Sequence, residues 1–151
     1  MKLSSKKGFT LIELIIVIAI LGIIALIAIP NLAGIRQRSQ INADIRTGEQ
    51  IGKSVRIWQT DTAAGTRVVP TTATKLDSAA VAADAALEDL DDYISYDYTP
   101  KSLTGGYYYI KAKSASDDKV VVFISSNATG ADYSAGTKYN GASGGEVYVE
   151  K

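Results

Sequence analysis

Glu13 is the residue on which chemistry can turn. It is the only charged side chain between Lys7 and Arg36, set in a run of Phe, Leu, Ile, Val and Ala. A buried charge persists when it finds a partner, which suggests a chain that waits in a membrane and later pairs this carboxylate with something. Other chemistries are poorly served. The chain has no histidine and no cysteine, which removes the commonest general base, the commonest metal ligand and any disulfide. No nucleophile–base pair, phosphate loop or metal-ligand spacing occurs, so neither an enzyme nor a cofactor is expected. Sixteen bases balance sixteen acids with no basic stripe, which gives no footprint for nucleic acid.

The element that must carry Glu13 is an apolar helix. From Phe9 to Ile29 there are twenty-one residues with this single acid, close to the ~20 that a membrane-spanning helix needs. Lys2, Lys6 and Lys7 precede it, and that bias leaves the C-terminal part outside the cytoplasm. An ordinary secretory signal shares the basic start and apolar middle, but it would end in a small-residue cut, where Pro30 and Asn31 stand here. A permanent single-span anchor tolerates Glu13 near the headgroups and leaves the Gly8–Phe9 junction without a reason.

The string Gly8-Phe9-Thr10-Leu11-Ile12-Glu13, behind lysines and ahead of a long apolar run, resembles the class III signal of type IV pilins and the related pseudopilins. The resemblance covers residues 1 to about 60. It implies that a prepilin peptidase cuts between Gly8 and Phe9 and methylates the new amine of Phe9. A glycine at the cut has no Cβ to crowd the protease site. It further implies that Glu13 meets the Phe9 amine of a neighbouring copy and so sets register during filament assembly, a contribution to specificity more than to net stability. Gly22 and Pro30 mark an expected helix break, because Pro30 has no N–H for the carbonyl of Leu26 and clashes with it.

Beyond Asn31 the helical period continues to about Thr60, so that residues 9–60 read as one helix of roughly 78 Å. Ile41, Ile45, Gly48, Ile51, Gly52, Val55 and Trp58 share a face, and Gly48 and Gly52 suggest a close backbone crossing. Arg46, Glu49, Lys53 and Arg56 form a polar face, with Glu49 and Lys53 an i,i+4 pair. Residues 60–75 read as a loop. Leu76, Ala80, Ala83, Leu87, Leu90 and Ile94 fit one helix capped by Asp77 or Ser78, with Asp84, Glu88, Asp89, Asp91 and Asp92 on its solvated side. Residues 106–112 and 119–125 read as a hairpin turning at Asp117-Asp118, and 146–150 as a last strand. In Tyr107-Tyr108-Tyr109 one residue is expected in the core. Residues 127–145 form a long loop, with a glycosylation-type Asn127-Ala128-Thr129 and, in Asp132 and Glu146, a thin hint of calcium.

The expected organisation is a leader (1–8), an apolar transmembrane or filament-core helix (9–35) and a globular head (36–151). The fold class is α+β, a long N-terminal helix packed on a small antiparallel sheet. The resemblance implies a structural subunit, a major pilin, that forms a helical homopolymer for adhesion, twitching motility or DNA uptake. Its implied partners are other copies, the prepilin peptidase, and an inner-membrane assembly platform with its ATPase. It would sit in the cell membrane first and in an extracellular filament afterwards. The rivals are a pseudopilin of a type II secretion or competence system, and a membrane-anchored binding domain that never polymerises.

Overall fold

Fifty residues from Leu11 to Thr60 form one helix, α1. A computed structural model of the chain describes residues 8–61, 67–96, 98–127, 129–131 and 133–150, and of 28–31 the backbone alone. The chain divides into two units, one ending at Arg36 and one beginning at Gln37. In the first, α1 is apolar all round, and its large side chains from Leu11 to Ile27 are exposed. The helical assignment continues through Gly22 and Pro30. By length and apolarity no single helix among the described residues is a membrane span. Leu11–Ile27 and Leu32–Thr60 qualify only as a pair, across the break that holds Pro30.

In the second unit the amphipathic part of α1 lies against a four-stranded sheet in the order β1-β2-β3-β4, made of Thr74–Lys75, Tyr107–Ser114, Asp117–Ser125 and Gly145–Val149. All three pairings are antiparallel. This is the α+β architecture of a long helix on a small antiparallel sheet. Ile51, Val55 and Trp58 of α1 are buried with Tyr108, Ile110, Val120, Val122 and Ile124. The crossing is as close as Gly48 and Gly52 suggest: a Cβ on Gly48 would overlap the Val147 side chain, and one on Gly52 the ring of Tyr148.

Five local expectations are corrected. Thr74–Lys75 is a short strand, not loop, pairing with Ile110 and Tyr109; the Lys75 ammonium lies 3.7 Å from the Tyr107 ring centre, which helps hold it there. The stretch 76–94 is not one helix. Only Ser78–Ala82 is α-helical (α2), followed by 3-10 turns at Ala85–Leu87 and Leu90–Asp92. The acids cause the interruptions: Asp77 caps the first piece through Ala80 N (2.6 Å) and Asp84 starts the next through Ala86 N (3.1 Å). Short acidic side chains of this kind compete for backbone donors and so favour helix starts over helix interiors. The β2–β3 turn falls at Ala115-Ser116, because Asp117 pairs with Ser114 and belongs to β3. Glu49 and Lys53 form no ion pair; Arg56 does, with Glu150 on the far side of β4 (3.0 Å).

The fifth correction concerns the tyrosines. Tyr108 and Tyr109 are both buried while Tyr107 is exposed. Successive strand residues face opposite ways, so two buried neighbours mean a sheet covered on both faces. The second cover is the 127–145 loop. Tyr109 stacks on Phe123 at 5.2 Å and Phe123 meets Tyr133 at 4.2 Å between ring centres. Gly130, at φ 68°, packs against both rings of the Tyr109–Phe123 stack, where a Cβ would come within 3.3 Å of Phe123.

Candidate functional site

The N-terminal segment is built around the first turn of α1. Thr10 is the residue before the helix, and its carbonyl accepts the first helical hydrogen bond from Leu14 N (3.3 Å). Its hydroxyl accepts from Glu13 N at 3.3 Å, and Glu13 Oε2 in return accepts from Thr10 N and Thr10 Oγ1, each at 2.9 Å. This reciprocal arrangement is a capping box, in which two otherwise unbonded N–H groups at a helix start are satisfied. Glu13 therefore has an intrachain role that reading it as an ionic partner alone does not anticipate. Thr10 was readable all the same: Thr-x-x-Glu ahead of an apolar run is the pattern of such a box.

The box occupies one carboxylate oxygen. Oε1 has no partner among the described contacts, and the side chain is exposed. Glu13 can thus cap its own helix and still present an oxygen to a cation. Phe9 is 91% exposed, and among the described residues nothing lies within 4 Å of where a Gly8 Cβ would stand. Gly22 is equally open. Lys2, Lys6 and Lys7 lie outside the described residues, as do Ala128 of the Asn127-Ala128-Thr129 string and Asp132.

Around this segment stands a large uncovered apolar surface. Leu14, Ile15, Ile16, Val17, Ile18, Ile20, Leu21, Ile23 and Ile24 are each at least half exposed. A helix that is apolar all round belongs inside something, either hydrocarbon or other helices.

In the second unit the polar chemistry is structural. Asp44, 2% exposed, accepts from Lys101 N (2.8 Å), Ser102 N (2.9 Å) and the Ser102 hydroxyl, and so ties the loop before β2 to α1. Ser102 Oγ lies 2.7 Å from Tyr139 OH, which brings in the C-terminal loop. Glu146, one of the two hints of calcium, spends Oε1 on Tyr133 OH (2.7 Å) and Gly136 N (2.8 Å). Among the described residues no group of three or more acids, His or Cys is placed to hold a metal. An open groove of about 790 Å³ between α1 and β4, lined by Ile45, Glu49, Lys53, Tyr139 and Tyr148 among others, gathers no reactive set.

Comparison with known proteins bears on the N-terminal segment. Residues 3–29 match the family described as the prokaryotic N-terminal methylation motif. The type IV major fimbrial protein FimA of Dichelobacter nodosus is 59% identical over 39 residues, 26% of this chain and 25% of that one. The type IV wide pilus major component PilA4 of Thermus thermophilus is 60% identical over 35 residues, covering 23% and 27%. The type IV major pilin protein PilA of Myxococcus xanthus is 62% identical over 35 residues, covering 23% and 16%. The match thus spans about a quarter of the length of these relatives or less, and no solved structure matches the chain. The names are those of structural subunits, not of enzymes. The chain thus carries the prokaryotic N-terminal methylation motif at the start of its long apolar helix, and over that segment it is similar to type IV pilins.

Proposed function

We propose that this chain is the major subunit of a type IV pilus, a structural protein that assembles non-covalently through its N-terminal helix. A prepilin peptidase cuts between Gly8 and Phe9, and the amine of Phe9 is methylated. The cut removes three lysines and leaves an apolar helix with a cationic tip. Before assembly the helix resides in the cell membrane; afterwards it lies in the core of an extracellular filament used for adhesion, twitching motility or DNA uptake. An assembly platform and its ATPase supply the work of extraction.

One observation carries this reading: the apolar half of α1 is bare on every side and carries at its start a carboxylate with one oxygen unspent. Hydrocarbon covers the apolar surface as well as other helices do, so exchanging lipid for copies of the helix is close to balanced. Packing and the Phe9–Glu13 pair then tip the exchange. Gly22 and Pro30 weaken the helix near its middle and allow the fibre to stretch. The pseudopilin and the non-polymerising anchor have no comparable support, since the relatives are named as major subunits.

The test is to shear cells that make the chain and weigh the shed protein. The expected product lacks residues 1–8, carries one added methyl group and sediments as filament. An intact leader, or a trimmed chain that stays monomeric in the membrane with the assembly machinery present, overturns the proposal.

A further inference from the structure

The second unit is electrically lopsided although the chain as a whole is neutral. Between Arg38 and Arg56, α1 carries Arg38, Arg46, Lys53 and Arg56 against Asp44 and Glu49. Asp44 is buried on the Lys101–Ser102 loop. Arg56 is held by Glu150. Arg38, Arg46 and Lys53 are exposed and make no ion pair among the described residues. Arg46 and Lys53 are two helical turns apart, hence on one face, with the exposed Glu49 between them, so that the bases outnumber the acid two to one, and Ile57, 59% exposed, continues the face.

The opposite charge is concentrated between Asp77 and Asp92, which holds six acids and no base. Three of them are engaged: Asp77 with Lys75 at 2.9 Å, Asp89 with Arg67 at 3.4 Å, and Asp84 with Thr74 Oγ1 at 3.2 Å. Glu88, Asp91 and Asp92 are exposed and without an ion pair among the described residues. This segment is fixed at the Trp58 end of α1, where Trp58 Nε1 donates to the Glu88 carbonyl at 2.9 Å. Arg46 lies twelve residues back along the helix, about 18 Å at 1.5 Å per residue. No side chain crosses that distance, so Arg46 is out of reach of Glu88, Asp91 and Asp92 within one chain, and Lys53, nearer to them, forms no ion pair among the described residues.

We propose that the exposed α1 face of Arg46, Lys53 and Ile57 is the docking surface for a second copy of this chain, which places Glu88, Asp91 and Asp92 on it. The inference rests on the filament reading and adds to it a head-to-head contact separate from the apolar helices. A copy displaced along α1 by about the Trp58–Arg46 spacing brings opposite charges together. Any register that superposes like segments opposes like charges. Complementarity of this kind fixes partner and register more than it adds affinity.

The test uses the full chain in cells that shed filaments. Reversing the bases (Arg46→Glu with Lys53→Glu) or the acids (Glu88→Lys, Asp91→Lys and Asp92→Lys) is expected to lower filament yield by at least about ten-fold. The trimmed, membrane-held pool should remain at its normal amount, which excludes a folding failure. Reversing both sets in one chain is expected to restore the yield. The absence of native cysteine allows a second measurement: cells co-producing a Lys53→Cys chain and an Asp91→Cys chain should shed filaments whose oxidation gives disulfide-linked pairs, absent when either is made alone. Normal yield after either reversal, failure of the double reversal to restore it, or filaments that give no linked pair overturns the proposal and leaves the filament reading intact. If the unaltered chain sheds no filament at all, the filament reading fails and this contact with it.

Discussion

Two carboxylates do very different work, and each can be probed by asking which property of the group matters. Glu13 caps its own helix through one oxygen and, in the proposed filament, meets the Phe9 amine through its charge. Gln caps a helix nearly as Glu does in this box but carries no charge, so the pair Glu13→Gln and Glu13→Ala separates the two roles. Both variants are expected to be trimmed at Gly8 and neither to yield filaments; shear yield and the mass of the membrane-held pool measure this. Filaments from Glu13→Gln alone would mean that the cap suffices and the charge does not matter. Asp44 is the second case. Asp44→Ala orphans the two N–H groups of Lys101 and Ser102 and the Ser102 hydroxyl, at about 1–3 kcal/mol for each donor that water cannot reach. Thermal unfolding of the detergent-held chain should shift down by several degrees, and an unchanged midpoint would show that the loop re-solvates freely.

At the scale of elements, the helix–sheet crossing depends on two missing side chains. Gly48 and Gly52 cost α1 helical propensity but let Val147 and Tyr148 of β4 come into contact with its backbone. Overpacking such a contact costs about 1–3 kcal/mol, against less than about 1 kcal/mol gained from the better helix former. Gly52→Ala is therefore expected to lower the melting temperature, with the larger share of exposed β4 amides seen in hydrogen exchange; a rise would mean that the sheet retreats at no cost. The crossing was legible in sequence because glycine in an amphipathic helix has few other reasons. The segment 76–94 was not. Its apolar spacing fits a helix, and Leu76, Leu87, Leu90 and Ile94 are indeed buried, but Ala83 is exposed and Val81, off the expected face, is buried in its place, because Asp77 and Asp84 take backbone donors and divide the segment into short turns. Periodicity locates the large side chains at the ends of the segment and does not reveal where a polar side chain outcompetes the helical hydrogen bond.

Across the whole molecule, the C-terminal loop is closed without a disulfide. Tyrosines do the fastening: Tyr109 OH to the Asn127 carbonyl at 2.7 Å, Tyr133 OH to Glu146, and Tyr139 to Ser102. Burial first, and in each case a neighbouring acid, push the phenols of Tyr96, Tyr108, Tyr133, Tyr139 and Tyr148 above the ordinary tyrosine value. In the alkaline range the folded chain then keeps protons that the unfolded chain has released. Stability is complete below the unfolded value near ~10 and is lost as pH rises from there toward the raised values. The melting temperature should hold between neutral pH and about 9 and fall steeply above about 10, with part of the tyrosinate absorbance appearing only on unfolding. Flat stability through that range would show these phenols to be solvated.

The sequence by itself determined the N-terminal signal, the apolar helix with its lone acid, the amphipathic continuation, the glycine crossing and the main strands. Each of these is a local pattern, set by spacing along the chain and by the chemistry of adjacent residues. Only the tertiary structure decided that both faces of the sheet are covered, that Asp44 fastens a loop 57 residues away, that Arg56 pairs with Glu150, and that Thr74–Lys75 joins the sheet. Those depend on which distant groups share a buried space, and in such a space an unmet hydrogen bond costs more than any local preference returns.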